Sequence, residues 1–322
     1  MAATTPTSHS AGPVTGVGLE PGPDLAVRGS SGGGRPGSRT RRRSGPHGSS
    51  DRSRTPAWLY GLLGAGMLLM VGPFLWMLLS SFKPEREIRS VPPTLWPQTW
   101  TTENYVQLFE RLDFPTFFGN SVLIAVVVTL GNLLFCSMVG YALAKLDFPG
   151  RRLLFGVVVG TLMVPGMVVF IPQFVLVANL GLVNTYAGLM LPFLVAPFGI
   201  FLMRQFIDGL PDELIDAARV DGAGELRIFL RIVLPLCGPA LATLAILTFL
   251  GSWNNFLWPL VVAQSEDRYT LPIALALYAT GQNQTEYGLL LAGAVVVVLP
   301  VVAIFLVLQR HFTQGIATTG IK

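Results

Sequence analysis

The residues of this chain that could do chemistry are few and gathered mainly in one internal segment. Residues 210–239 read LPDELIDAARVDGAGELRIFLRIVLPLCGP and lie between two long hydrophobic runs. Asp216 stands beside Ala217 and Ala218, followed by Arg219, Asp221, Gly222 and Ala223, and the segment closes through Leu234 and Pro235. Small side chains let another protein's surface approach closely. Carboxylates and guanidiniums around them fix its orientation through charge-assisted hydrogen bonds. The chemistry on offer is docking, not bond making.

The usual catalytic groups are missing or misplaced. The histidines are His9, His47 and His311, in the tails or at the end of a hydrophobic run, with no Ser, Cys or carboxylate constellation beside them. Cys136 and Cys237 lie in or beside hydrophobic runs and give neither a disulfide framework nor a metal spacing. The lysines are Lys83, Lys145 and Lys322, and none follows the Gly-rich turn of a phosphate-binding loop. No catalytic site, metal site or cofactor is expected in this chain.

The elements that must carry the charged segment belong to a membrane. Hydrophobic residues make up 51% of the chain and charged residues 12%, where soluble domains carry about 25% charged. Six stretches hold no charge at all: 59–79, 121–144, 153–178, 185–203, 236–263 and 287–308. At about 1.5 Å per helical residue each can cross roughly 30 Å of hydrocarbon. The expected fold is an all-α polytopic bundle of six transmembrane helices over 57–322, with the charged loop at 204–235. Residues 1–56 are rich in Gly, Ser, Pro, Thr and Arg and are expected to be disordered. Arg39, Arg41, Arg42 and Arg43 there are read as a topology signal and an attraction to anionic lipid rather than a nucleic-acid site. The run after Trp58 is too long for a signal-peptide core and is read as an uncleaved first span.

Basic residues set the orientation. Seventeen Lys and Arg fall in the N-terminal tail, the loops 145–152 and 204–235 and the C-terminal tail, against five in the other loops. The positive-inside rule places both termini and the charged loop in the cytoplasm of a multi-pass cell-membrane protein. Tryptophans 58, 76, 96, 100 and 258 are expected at the membrane boundaries.

Within the loop, Pro211 suits a first helical turn, Asp212 and Glu213 suit the positive helix end, and Gly222 can stop the helix in a left-handed conformation. A second helix is expected to carry Leu226, Phe229, Leu230 and Val233 on one apolar face. Pro235 and Pro239 mark its junction with the fifth span. In the spans, Asn132, Gln173, Asn254 and Asn255 either hydrogen-bond between helices or line a polar pathway, the last two beside Trp253 and Trp258. Pro165, Pro172, Pro192, Pro197 and Pro300 suggest kinks lining a cavity, and Gly156-x-x-x-Gly160 suggests a packing seam.

Asp216-Ala217-Ala218, Asp221-Gly222-Ala223 and Leu234-Pro235 closely resemble the coupling ("EAA") loop of ABC-importer permeases. The resemblance is to the smaller, six-span permease of the maltose and multiple-sugar type and runs from about Pro56 to the C-terminus. It is carried further by Pro73-Phe74-Leu75-Trp76, Ser81-Phe82-Lys83-Pro84, Asn104-Tyr105, Asn120-Ser121, Tyr141-Ala142-Leu143-Ala144, Phe201-Leu202-Met203-Arg204-Gln205-Phe206, the stretch from Phe249 to Leu260, Tyr269-Thr270-Leu271-Pro272 and Gln309-Arg310-His311-Phe312. The family's usual loop glutamate is Asp216 here, one methylene shorter.

The resemblance implies a type I importer permease fold and a transport subunit that is not itself an enzyme. It implies a second related permease, two ATPase subunits that bind ATP and Mg, and an extracytoplasmic sugar-binding protein. A glycerol-phosphate importer would favour cations in the pathway, and an ion-coupled secondary carrier would place an acid inside the membrane. The six stretches contain neither.

Overall fold

The computed structural model describes residues 57–279 and 285–318. The tail expected to be disordered lies outside them, as do the side chains of the Gln309–Phe312 motif. Among the described residues the regular structure is helical and no β-strand forms.

Three helices are each long and apolar enough to cross a bilayer. They are α1 (Ala57–Ser81), α4 (Phe114–Lys145) and α14 (Tyr287–Thr318), the last apolar up to Val307. Three further pairs of helices among the described residues, each bent at a break, reach the same length and apolarity only when the two helices are taken together. α5 (Arg151–Leu162) and α6 (Gly166–Asn179) meet at 104°, α7 (Tyr186–Phe193) and α8 (Pro197–Asp208) at 41°, and α10 (Glu225–Leu236) and α11 (Gly238–Trp253) at 81°. The third span, expected as one crossing over 153–178, is therefore sharply broken. Its cause is Pro165, whose own extended ψ of 130° ends α5 and starts α6. Pro197 acts likewise: it holds Ala196 before it in an extended conformation (φ −116°, ψ 134°).

α4 is the bundle's axis. Its 32 residues reach about 48 Å at 1.5 Å per residue, past roughly 30 Å of hydrocarbon, so Lys145 stands beyond the apolar zone. The helix approaches α8 closely because glycines permit it. A Cβ on Gly140 would lie 2.9 Å from Arg204 N, and one on Gly199 2.8 Å from Cys136 Sγ. The expected seam at Gly156 and Gly160 is not a seam within this chain, since open space surrounds both.

Short helices complete the end opposite the charged loop: α2 (Glu85–Ile88), α3 (Glu103–Arg111), α12 (Leu257–Val262) and α13 (Leu271–Ala279). Several motif residues are structural ties there. Asn104 Nδ2 donates to Ser81 O and Lys83 O, both at 2.8 Å. Asn120 Nδ2 donates to Asp267 O and Tyr269 O at 2.9 Å, and Ser121 Oγ accepts from Leu271 N. Glu85 caps α14 by accepting from Tyr287 N and Gly288 N, and Arg111 pairs with Glu286. Trp58, Trp76, Trp96 and Trp100 are exposed, whereas Trp258 is buried.

Candidate functional site

The charged loop is a helix, a turn and a second helix. α9 (Asp212–Val220) starts after Pro211 with Asp212 and Glu213 in its first turn. It ends in a Schellman motif: Gly222 N donates to Arg219 O at 3.0 Å and Ala223 N to Ala218 O at 2.9 Å. Gly222 has φ +78°, a conformation in which a Cβ is strained whatever the surrounding space. α10 follows, and a π turn at Phe229–Val233 shifts its register. Pro235 explains that turn, since it offers no N–H to the carbonyl four residues back.

The apolar face expected from helical spacing does not form. Phe229 and Val233 are buried together with Ile228, but Leu226 and Leu230 are exposed. The break before the fifth span falls at Cys237 and Gly238 with Pro239 in the first turn of α11, not at Pro235, which lies inside α10. Leu234 packs partly buried against the same cluster as Ile228.

The inner face of the loop is continuous with the bundle. Ile215 and Ala218 of α9 and Ile228 and Phe229 of α10 share one apolar cluster with Tyr141 of α4 and Met203 and Ile207 of α8. Ala218 therefore faces the chain's own core, not a partner as expected. Ala217, Asp216 and Val220 face outward. Burying one large aliphatic side chain contributes about 1.5–3 kcal/mol, against about 0.2–1 kcal/mol for an exposed ion pair. Apolar packing thus holds the loop, and polar bonds aim it.

Those polar bonds converge on two cations. Arg219 Nε donates to Glu225 Oε1 at 2.8 Å and its Nη1 to Asp216 Oδ1 at 3.1 Å, with Nη2 reaching Lys145 O at 3.4 Å. Glu225 also accepts from the Tyr141 hydroxyl. Arg219 first and Tyr141 second hold the Glu225 carboxyl below the usual carboxylate range. The same bonds, Glu225 foremost, push the Arg219 guanidinium further up. Lys145, its side chain 6% exposed, donates to Leu210 O at 2.7 Å and pairs with Asp212, whose carboxyl it holds low. Asp216 is thus Arg219's weaker partner and remains 66% exposed on its side chain. Asp221 is exposed as well.

Tyr141, Lys145 and Glu225 were not among the expected site residues. The sequence held one signal: Lys145 is one of only three lysines and ends the second apolar run. The pairing of Tyr141 with Glu225, 84 residues apart, left no local trace.

A cavity of about 410 Å³ opens between α4, α7, α8 and α11. Of the expected pathway residues, Asn132 and Asn255 line it. Asn132 is spent structurally, its amide donating to Val128 O and Phe193 O. Asn255 Oδ1 accepts from Trp258 N, and its amide nitrogen has no partner among the described residues. The others lie elsewhere. Trp253 is buried against Phe118 and Phe249 and donates to Val297 O. Trp258 is buried against Phe170 and Phe193 and donates to Gly188 O. Both rings thus pack the bundle. Asn254 is exposed and bonds Leu250 O in its own helix, and Gln173 is half-buried off the cavity. Thr248 and Ser252, missed in the sequence, are on the lining, as are Pro192 and Pro197, while Pro165, Pro172 and Pro300 are not.

Known proteins share this architecture. The chain is 47% identical over 257 residues to the arabinooligosaccharides transport system permease protein AraQ of Halalkalibacterium halodurans, covering 79% of this chain and 92% of that one. It is 37% identical to the diacetylchitobiose uptake system permease protein NgcG of Streptomyces coelicolor, over 84% and 89%. It is 34% identical to the sn-glycerol-3-phosphate transport system permease protein UgpE of Escherichia coli, over 79% and 93%. The fold matches a chain of a solved bacterial ABC transporter involved in the import of alginate, with a TM-score of 0.73, 24% identity, and 79% and 95% covered. Residues 136–318, which contain the charged loop and the α11 wall of the cavity, match the family model for binding-protein-dependent transport system inner membrane components, and the chain belongs to that family.

Proposed function

We propose that this chain is the membrane permease subunit of an ATP-driven, binding-protein-dependent importer of oligosaccharides. The observation that carries this reading is the 47% identity to a permease named for arabinooligosaccharides, over 79% of the chain. The cavity supports a neutral sugar over a phosphate ester: Thr248, Ser252 and Asn255 supply polar side chains beside the structurally spent Asn132, and no charged residue among those described lines it. Asn255 offers a free amide to a sugar hydroxyl.

The rest of the machine lies in other chains. A second, related permease closes the pathway, two ATPase subunits bind ATP and Mg, and an extracytoplasmic protein delivers the sugar. The loop and both termini face the cytoplasm, as the basic residues require. α9 is the docking element, because Asp216, Ala217 and Val220 face outward while Ile215 and Ala218 fix the helix to the spans. Glu225 holds Arg219 from the other side, so the second Asp216 oxygen is free for the ATPase.

Co-purification of the ATPase with loop variants tests this. Truncating one partner of a docked, buried charge pair costs on the order of 2–5 kcal/mol. Asp216→Ala should therefore lower ATPase association at least tenfold, and Asp216→Glu should keep it. Wild-type association by Asp216→Ala would remove Asp216 from the interface.

A further inference from the structure

α10 makes an angle of 81° with α11. α11 crosses the bundle from the cluster around Met203 and Tyr141 to Trp253, which packs on Phe118 at the far end. A segment perpendicular to a crossing helix runs along the membrane surface. Its level is set by Glu225, which bonds Tyr141 one turn before Lys145 ends α4. α10 therefore lies in the interface on the side of the charged loop.

Its two faces differ. Ile228, Phe229 and Val233 are buried in the bundle. The outward face carries Leu226, 63% exposed, and Leu230, with Arg227 and Arg231 beside them, and these four with Gly222 and Gly224 border a shallow groove. Arg227 and Arg231 stand at i, i+4 spacing, where like charges repel. Neither makes a hydrogen bond or ion pair within the described residues. The carboxylate nearest in sequence, Glu225, is held by Arg219 and Tyr141. Two unanswered guanidiniums flanked by exposed leucines in the interfacial plane match the chemistry of a phospholipid: an anionic headgroup between the arginines, and acyl chains against the leucines.

We infer that the outward face of α10 is a binding site for an anionic phospholipid of the cytoplasmic leaflet. It rests on the cytoplasmic position of the loop proposed above. Bound lipid neutralises the Arg227–Arg231 repulsion and seats α10 against the bilayer, beside the Gly222 turn. The chain thereby ties the docking loop to the membrane surface as well as to the spans.

The test places the full chain, alone and assembled with its ATPase, in vesicles of phosphatidylcholine or of phosphatidylcholine mixed with phosphatidylglycerol. Spin-labelled lipids report which species is held at the protein surface. The wild type should hold phosphatidylglycerol in preference, Arg227→Gln and Arg231→Gln should each reduce that preference roughly fivefold, and lysine at either position should restore it. Arg86→Gln removes the same charge from the opposite end and should change nothing. A nitroxide on Leu230→Cys should be reached by oxygen from the bilayer with and without the ATPase. An unchanged preference in the glutamine variants would overturn the inference. So would a nitroxide shielded from oxygen once the ATPase binds, which would make the face a protein contact. Membrane-impermeant thiol labelling of Gly224→Cys in intact cells checks the loop's side separately. Labelling from outside would sink the topology while leaving the lipid preference as measured.

Discussion

Arg219 donates in three directions, and its placement decides what the residues around it can do. With Glu225 as its closer partner, Asp216 keeps an exposed oxygen. Glu225 is the residue whose charge holds this arrangement. Its carboxyl is held low by Arg219 and Tyr141, so its folded pKa lies below the unfolded value of about 4.3. A depressed carboxylate stabilises the fold above its unfolded pKa, and this contribution fades as pH falls through the folded value. Glu225→Gln should therefore lower the loop's stability by about 0.2–1 kcal/mol at neutral pH, the range for an exposed ion pair. The gap from wild type should close below about pH 4. Hydrogen exchange of the α9 amides, corrected for intrinsic rates, measures this. A gap that persists unchanged into acid would mean the charge does no work there. Asp216 and Arg219 were readable from helical spacing, but Glu225 as Arg219's main partner was not, because the Gly222 turn had to fold first to bring it back.

The turn is the element on which the loop's shape depends. α9 could be read from Pro211, the acids after it and the glycine that ends it, and each is a local rule with a local cause. α10 could not be read fully: Phe229 and Val233 pack into the bundle while Leu226 and Leu230 stay exposed, a division set by tertiary packing. The backbone alone explains the demand for glycine at 222, since open space surrounds the position. Left-handed backbone costs roughly 1–2 kcal/mol for an ordinary L residue, and more for a β-branched one. Gly222→Val should reach the membrane yet abolish uptake, leaving ATP hydrolysis uncoupled from the binding protein. Gly222→Asn should keep most activity, as asparagine tolerates this conformation. Gly224, at φ −71° and equally open, should accept alanine freely. Normal uptake by Gly222→Val would refute the rigid turn. Equal damage at Gly224 would point to crowding by a partner instead.

At the scale of the molecule, all six apolar stretches correspond to helix or helix pairs, because charge is costly in hydrocarbon and its absence is visible in composition. The bends were marked by prolines, but their angles follow from packing, so the break in the third span and the turn of α10 into the membrane plane were not legible. Of the residues expected on a polar pathway, Asn132 and Asn255 line the cavity, while Trp253 and Trp258 turned inward to close helix contacts. α1 presents exposed apolar side chains on nearly all sides. The central claim, ATP-driven and binding-protein-dependent sugar import, is tested most directly by transport in sealed vesicles. They carry the assembled complex, with ATP and Mg enclosed and a labelled oligosaccharide with its binding protein outside. Uptake should require both enclosed ATP and the external binding protein, and an imposed ion gradient should not replace either. Uptake that proceeds without ATP, or that an ion gradient alone drives, would contradict it.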